Sequence, residues 1–212
     1  DAEETLVQIK GQRFFEESEL PELCVGGGLR CARRLSPVLP VLGRRGLSAP
    51  FSTCEEMLGC DGGRNLPPWE LAVTYECERG KLSASEVVQR MVQIVQIVRR
   101  SLREGLRGTV YRDRILGPQS GQFQARLQAG ALLDAGILNM MIRNVTALME
   151  VKSAMGVIVA APTAGASAAV PGTCLAAADA LGMGDSEAAK AMLAAGLIGV
   201  LVASKSTFAA EL

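Results

Sequence analysis

The segment "GVIVAAPTAGASAAVPG", Gly156 to Gly172, holds the residues of this chain best suited to binding chemistry. It is uncharged and mostly apolar, yet Pro162, Pro171 and its glycines break it. Its centre is Thr163-Ala164-Gly165-Ala166-Ser167. A turn of small residues between two helices leaves backbone N–H groups without intrahelical partners. The positive end of the following helix points into the same space. Together these make an anion or carboxylate pocket, to which Thr163 and Ser167 add hydroxyls. A tight interhelical turn whose donors are met by neighbouring carbonyls explains the same residues. No phosphate-loop pattern is present, so the residues alone favour that plainer reading. Upstream, Glu150 belongs to a stripe with Asn139, Arg143, Thr146 and Ser153 at three- and four-residue spacing. Such a stripe reads as the solvent-facing side of a helix.

Composition narrows the chemistry further. The chain contains no histidine, which excludes histidine triads, bases and metal ligands within it. Six cysteines, Cys24, Cys31, Cys54, Cys60, Cys77 and Cys174, include no C-x-x-C pair, so a zinc site is not expected. The opening "DAEET" is unlike a secretory leader, and reduced thiols in a cytoplasmic protein are the expectation. Basic and acidic residues balance at 22 each, giving no field to gather nucleic acid or an anionic membrane. The uncharged run 153–178 is cut by Pro162 and Pro171, so no transmembrane segment is expected there or in 191–204.

The elements that must position these residues are helical. With 49% hydrophobic residues and only 4% aromatic, the core is built from small and aliphatic side chains that let helices pack closely. Ser83 and Glu86 form a capping-box pattern. Val87, Met91, Ile94, Val98 and Leu102 then recur at helical spacing. "RGTVYRDRILGPQSGQF" reads as a connector broken by Gly117, Pro118 and Gly121. A second helix is expected from about Asp134 to Ala161, ended by Pro162. Pro171 suits the first position of the next, which reaches about Leu181. Asp185 is placed to cap a last helix that is apolar nearly all round and therefore central. There, Gly196 and Gly199 would let a neighbouring backbone approach. Residues 1–50, punctuated by prolines and basic pairs, read as an irregular arm. The expected class is mainly α: a packed helical domain over 51–212 with a buried helix–turn–helix crossover.

"MEVKSAMGVIVAAPTAGASAAVPGT" resembles the signature region of the iron–sulfur-dependent L-serine dehydratases, in their catalytic α subunit or domain. That family reads close to N-E-x-N-A-A-M-G-x-I-V-A-A-P-T-A-G-S-x-G-x-x-P-G there. "AAGLIGVLVASKSTFAAE", "PFSTCEEMLG", "LPPWELAVTYE" and "REGLRG" are similar to further parts of the same domain. "VGGG" is similar to the β-to-α domain junction of single-chain members. The resemblance is dense over about 70–211. It implies a lyase of amino-acid degradation, feeding gluconeogenesis, that converts L-serine to pyruvate and ammonia. Its cofactor would be a [4Fe–4S] cluster whose open iron takes the substrate hydroxyl. The resemblance places Thr163, Ala164, Gly165 and Ser167 at the substrate carboxylate and Glu150 at the amino group. The catalytic base is not identified.

Three departures qualify the match. P-T-A-G-A-S-A stands where the family has P-T-A-G-S-x-G, and Lys152 stands where many members have Asn. The cysteines present do not correspond to the family's cluster ligands. The chain therefore reads as the middle of a dehydratase, truncated at both ends and inactive alone. It would need a β domain or subunit and a cluster-binding C-terminal segment, within a homo- or hetero-oligomer. Two other functions fit the same residues: a non-catalytic helical module binding a small anion or a partner, and a related cysteine desulfidase.

Overall fold

The computed structural model describes Pro21, Cys24 and residues 49–205 apart from 113, 116, 162 and 164. The arm expected over 1–50 falls almost wholly outside these residues, as do Cys31, Ala164 and the final "STFAAEL". Pro21 and Cys24 themselves lie in helix. The chain forms two compact units, Asp1–Val38 and Leu39–Leu212. The second is all helical among its described residues: α1 (Cys54–Asp61), α2 (Pro68–Gly80), α3 (Ala84–Arg107), α4 (Ser120–Gln128), α5 (Ile137–Ser153), α6 (Ala166–Ala180) and α7 (Asp185–Ala203).

The longest helix, α3, begins where its sequence directs. Ser83 Oγ accepts from Glu86 N (3.3 Å), and Glu86 Oε2 accepts from Ser83 N (2.9 Å). This reciprocal cap satisfies two donors at the helix start. The Ser83 N–H and the Ser83 hydroxyl, both donating to the Glu86 carboxyl, hold it below its usual range. Val87, Met91, Ile94, Val98 and Leu102 are all buried, joined by Val95. That stripe packs α3 against α5 and α7, while α2 lies against α7. The shorter α1 uses the same cap, with Thr53 and Glu56.

Two close backbone approaches set the packing. A Cβ on Gly105 of α3 would lie 2.2 Å from the Ala147 carbonyl oxygen of α5. One on Gly172 of α6 would lie 2.9 Å from Val145 Cγ2 and 3.1 Å from Val145 N, again on α5. Only glycine lets these helices meet so closely. Gly196 and Gly199, expected to serve this purpose, have nothing within 4 Å of their Cβ positions.

Several boundaries differ from the sequence expectation. The helix expected to reach Ala161 ends at Ser153, in a Schellman motif. Gly156 N bonds Val151 O (2.8 Å) and Met155 N bonds Lys152 O (3.0 Å). Met155 takes the left-handed conformation (φ 57°) that this motif requires. Pro171 does not start a helix. It sits inside α6, which begins five residues earlier with Gly165 as N-cap, its first N–H donating to Thr163 Oγ1. Gly184, not Asp185, is the N-cap of α7. Asp185 is instead engaged by Arg99 of α3 (2.6 Å), which also holds Asp179 at the end of α6 (2.8 Å).

The apolar α7 buries one face, Ala188, Ala189, Met192, Leu193 and Leu197. Its other face is open, with Ile198 58% and Val202 56% exposed, so it is not central within the described residues. It is the one described helix long and apolar enough to cross a membrane by length and composition.

Candidate functional site

The stripe on α5 that reads as solvent-facing is largely covered. Asn139 and Glu150 are buried and Arg143 and Thr146 are half-buried; Ser153 alone of the five is exposed. The cover comes from the connector and α4. No side chain of α4 caps its own start. Instead Glu150 Oε1 accepts from Gln119 N (2.5 Å) and Ser120 N (2.7 Å). A carboxylate from one helix thus satisfies the orphan donors of another and meets the positive end of its dipole. Ser120 Oγ lies within bonding distance of both Glu150 Oε2 (3.0 Å) and the Gly105 carbonyl (2.9 Å). Its single proton serves one of them at a time.

The connector supplies a cation opposite this anion. Arg114 NH2 lies 3.8 Å from Glu150 Oε2, with side chains 15% and 10% exposed. The guanidinium stacks over the Tyr111 ring, 4.8 Å from its centroid. It donates to the Thr109 carbonyl and, at 3.2 Å, to Thr109 Oγ1. Its Nε is buried without an acceptor. A pocket of about 290 Å³ lies here, walled by Tyr111, Arg114 and Gln119 on one side and by Thr146, Glu150 and Ser153 on the other. It is large enough for a small metabolite and, among the described residues, carries one charge of each sign.

None of the described residues of the turn, Thr163, Gly165, Ala166 and Ser167, lines this pocket. Thr163 Oγ1 accepts from Ala166 N (3.1 Å), and the Thr163 carbonyl accepts from Ser167 N (3.2 Å). The Gly165 carbonyl accepts from Ala168 N (3.1 Å) and Ala169 N (2.8 Å). The first donors of α6 are therefore engaged within the turn. Thr163 is half-buried, Gly165 exposed and Ser167 buried; Ala164 lies outside the described residues.

Sequence reasoning missed Arg114, Tyr111 and Ser120. The available signal was a cationic residue in a connector, with a single acidic residue, Glu150, on the helix that follows.

Five of the six cysteines lie among the described residues. Cys24, Cys54, Cys60, Cys77 and Cys174 are free thiols. Burial pushes the Cys174 thiol above its usual range. Among the described residues, no three His, Cys, Asp or Glu side chains are grouped to hold a metal ion.

A curated protein of Bacillus subtilis (strain 168), "Probable L-serine dehydratase, alpha chain", is 24% identical over 157 residues, which cover 74% of this chain and 52% of that protein. The chain thus spans about half the length of this relative. No solved structure matches it significantly. Residues 63–212, which include every helix from α2 onward and both halves of the site described above, match the family described as "Serine dehydratase alpha chain". The chain belongs to the serine dehydratase alpha chain family.

Proposed function

We propose that this chain contributes the α part of an enzyme that deaminates L-serine to pyruvate and ammonia. The observation that carries the reading, beside family membership, is the pocket around Glu150. A buried carboxylate with a lone pair still open on Oε2 suits an ammonium group. Elimination from serine breaks the Cα–H bond and the Cβ–O bond; the enamine then hydrolyses. This chain's part is to hold the amino acid so that both bonds are presented. Glu150 receives the ammonium. Following the resemblance, Thr163, Ala164, Gly165 and Ser167 are proposed to add neutral hydrogen-bonding groups on the carboxylate side of the substrate.

The family resemblance implies a [4Fe–4S] cluster. The described residues do not fit one: they include no grouped set of metal-ligating side chains. Its ligands are proposed to come from elsewhere in the assembled enzyme. A β chain is the proposed partner. The test is pyruvate formation from L-serine by the complete enzyme, assembled with its β partner and reconstituted anaerobically with iron and sulfide. Pyruvate from L-serine supports the reading. No pyruvate from L-serine overturns it, and sulfide release from L-cysteine in its place assigns a cysteine desulfidase.

A further inference from the structure

We infer that Arg114 is the cation that anchors the carboxylate of an α-amino acid whose ammonium sits on Glu150. The inference rests on the proposed amino-acid substrate and deepens it by naming the group that faces the substrate's negative end. The two charges of an α-amino acid are separated by a single carbon. A site for one must therefore present a cation and an anion side by side. Arg114 and Glu150 do so, with NH2 and Oε2 3.8 Å apart on the wall of one pocket. That separation is too long for a hydrogen bond, so neither group has used up the other.

The unused valences agree. A guanidinium has five N–H donors, and Thr109 takes two of Arg114's. Nε is buried with no acceptor, which a folded protein rarely leaves without cause. Glu150 Oε1 is filled by Gln119 N and Ser120 N, whereas Oε2 competes with the Gly105 carbonyl for the single proton of Ser120. Arg114 thus keeps donors beyond those that Thr109 takes, and Glu150 keeps an open acceptor. The Thr163–Ser167 turn carries no cation. The neutral donors proposed there leave the carboxylate's charge to be balanced by another group. Stacking on Tyr111 and the bonds to Thr109 hold the guanidinium in place before any ligand arrives.

The test is titration of this chain with L-serine, L-alanine and L-serinamide, followed by NMR shifts and the thermal midpoint, with Arg114→Met and Arg114→Lys alongside. Wild type should bind L-serine and L-alanine alike, and L-serinamide at least about 10-fold more weakly. Arg114→Met should weaken both amino acids by about 10- to 100-fold and leave L-serinamide unchanged. Arg114→Lys should recover part of the loss. Unchanged L-serine affinity in Arg114→Met overturns the inference. So does wild-type binding of L-serinamide as tight as L-serine, or no binding of either amino acid. If Arg114→Met fails to fold, the wild-type comparison of acid with amide and the Arg114→Lys affinity decide. Arg114-dependent binding of both amino acids, with no pyruvate from the complete enzyme, would keep this site and remove the dehydratase assignment. Pyruvate formation with unchanged Arg114→Met affinity would do the reverse.

Discussion

The turn at Thr163–Ser167 and the pocket around Glu150 invert what their sequences suggest. The turn is rich in donors on paper, yet its helix start spends four of them on Thr163 and Gly165. Glu150 sits on a polar stripe on paper, yet it is buried, and three groups of α4's first turn surround it. Local patterns report which bonds a segment is able to make. Whether those bonds remain open for a ligand depends on what arrives from elsewhere in the chain. Closing its own hydrogen bonds makes the turn rigid, whereas leaving one lone pair open makes the Glu150 region a receptor.

Substitutions separate the two regions by size of effect. Glu150→Ala should be the most damaging. It strands Gln119 N, Ser120 N and the Arg114 guanidinium at once, so chemical denaturation should show a loss of about 3 kcal/mol. Ser153→Ala, one turn on and exposed, should stay within about 0.5 kcal/mol. If the two losses were similar, Glu150 would be no more than part of a wet stripe. Thr163→Ala should cost about 1 kcal/mol, the usual value of a helix cap, and Thr163→Ser should restore most of it. A loss larger than that of Glu150→Ala would make the turn the better-integrated region. A small gain in place of a loss is expected at Met155, which is 92% exposed and left-handed at the end of α5. Met155→Gly should raise stability by about 0.5 kcal/mol, because relief of the left-handed strain slightly exceeds glycine's extra chain entropy. A lower thermal midpoint would mean that this strain is offset by contacts of the side chain.

Much of the fold was legible. Ser83, Glu86 and the apolar repeat behind them specify α3 without reference to any other helix, and α3 forms as they dictate. The crossover between α5 and α6 was visible as breaks in an apolar run, although its ends moved. Pro162 reads as a stop, but the Schellman motif at Met155 and Gly156 ends α5 earlier. The shorter helices α1, α2 and α4 hold too few periodic positions to announce themselves. For the site, spacing identified Glu150 as one side of a helix, but periodicity cannot say what covers that side. The cover is the start of α4, thirty residues upstream, and it bonds through backbone N–H groups that no side-chain pattern encodes. Arg99 shows the same limit: Asp185 is a natural cap in sequence, yet a guanidinium from a distant helix claims it.

The contact between Gly105 and Ala147 gives the receptor its calibre. Ala147 lies one turn before Glu150, so the depth to which α5 sinks onto α3 is also the depth at which the carboxylate rests. Gly105 further contributes the carbonyl that shares Ser120's proton with that carboxylate. The contact of two main chains therefore sets the height of the anion, while Tyr111 and Thr109 set the place of the cation. One methyl group at position 105 would lift α5 like a shim under a hinge, and move the negative pole of the site away from the positive one.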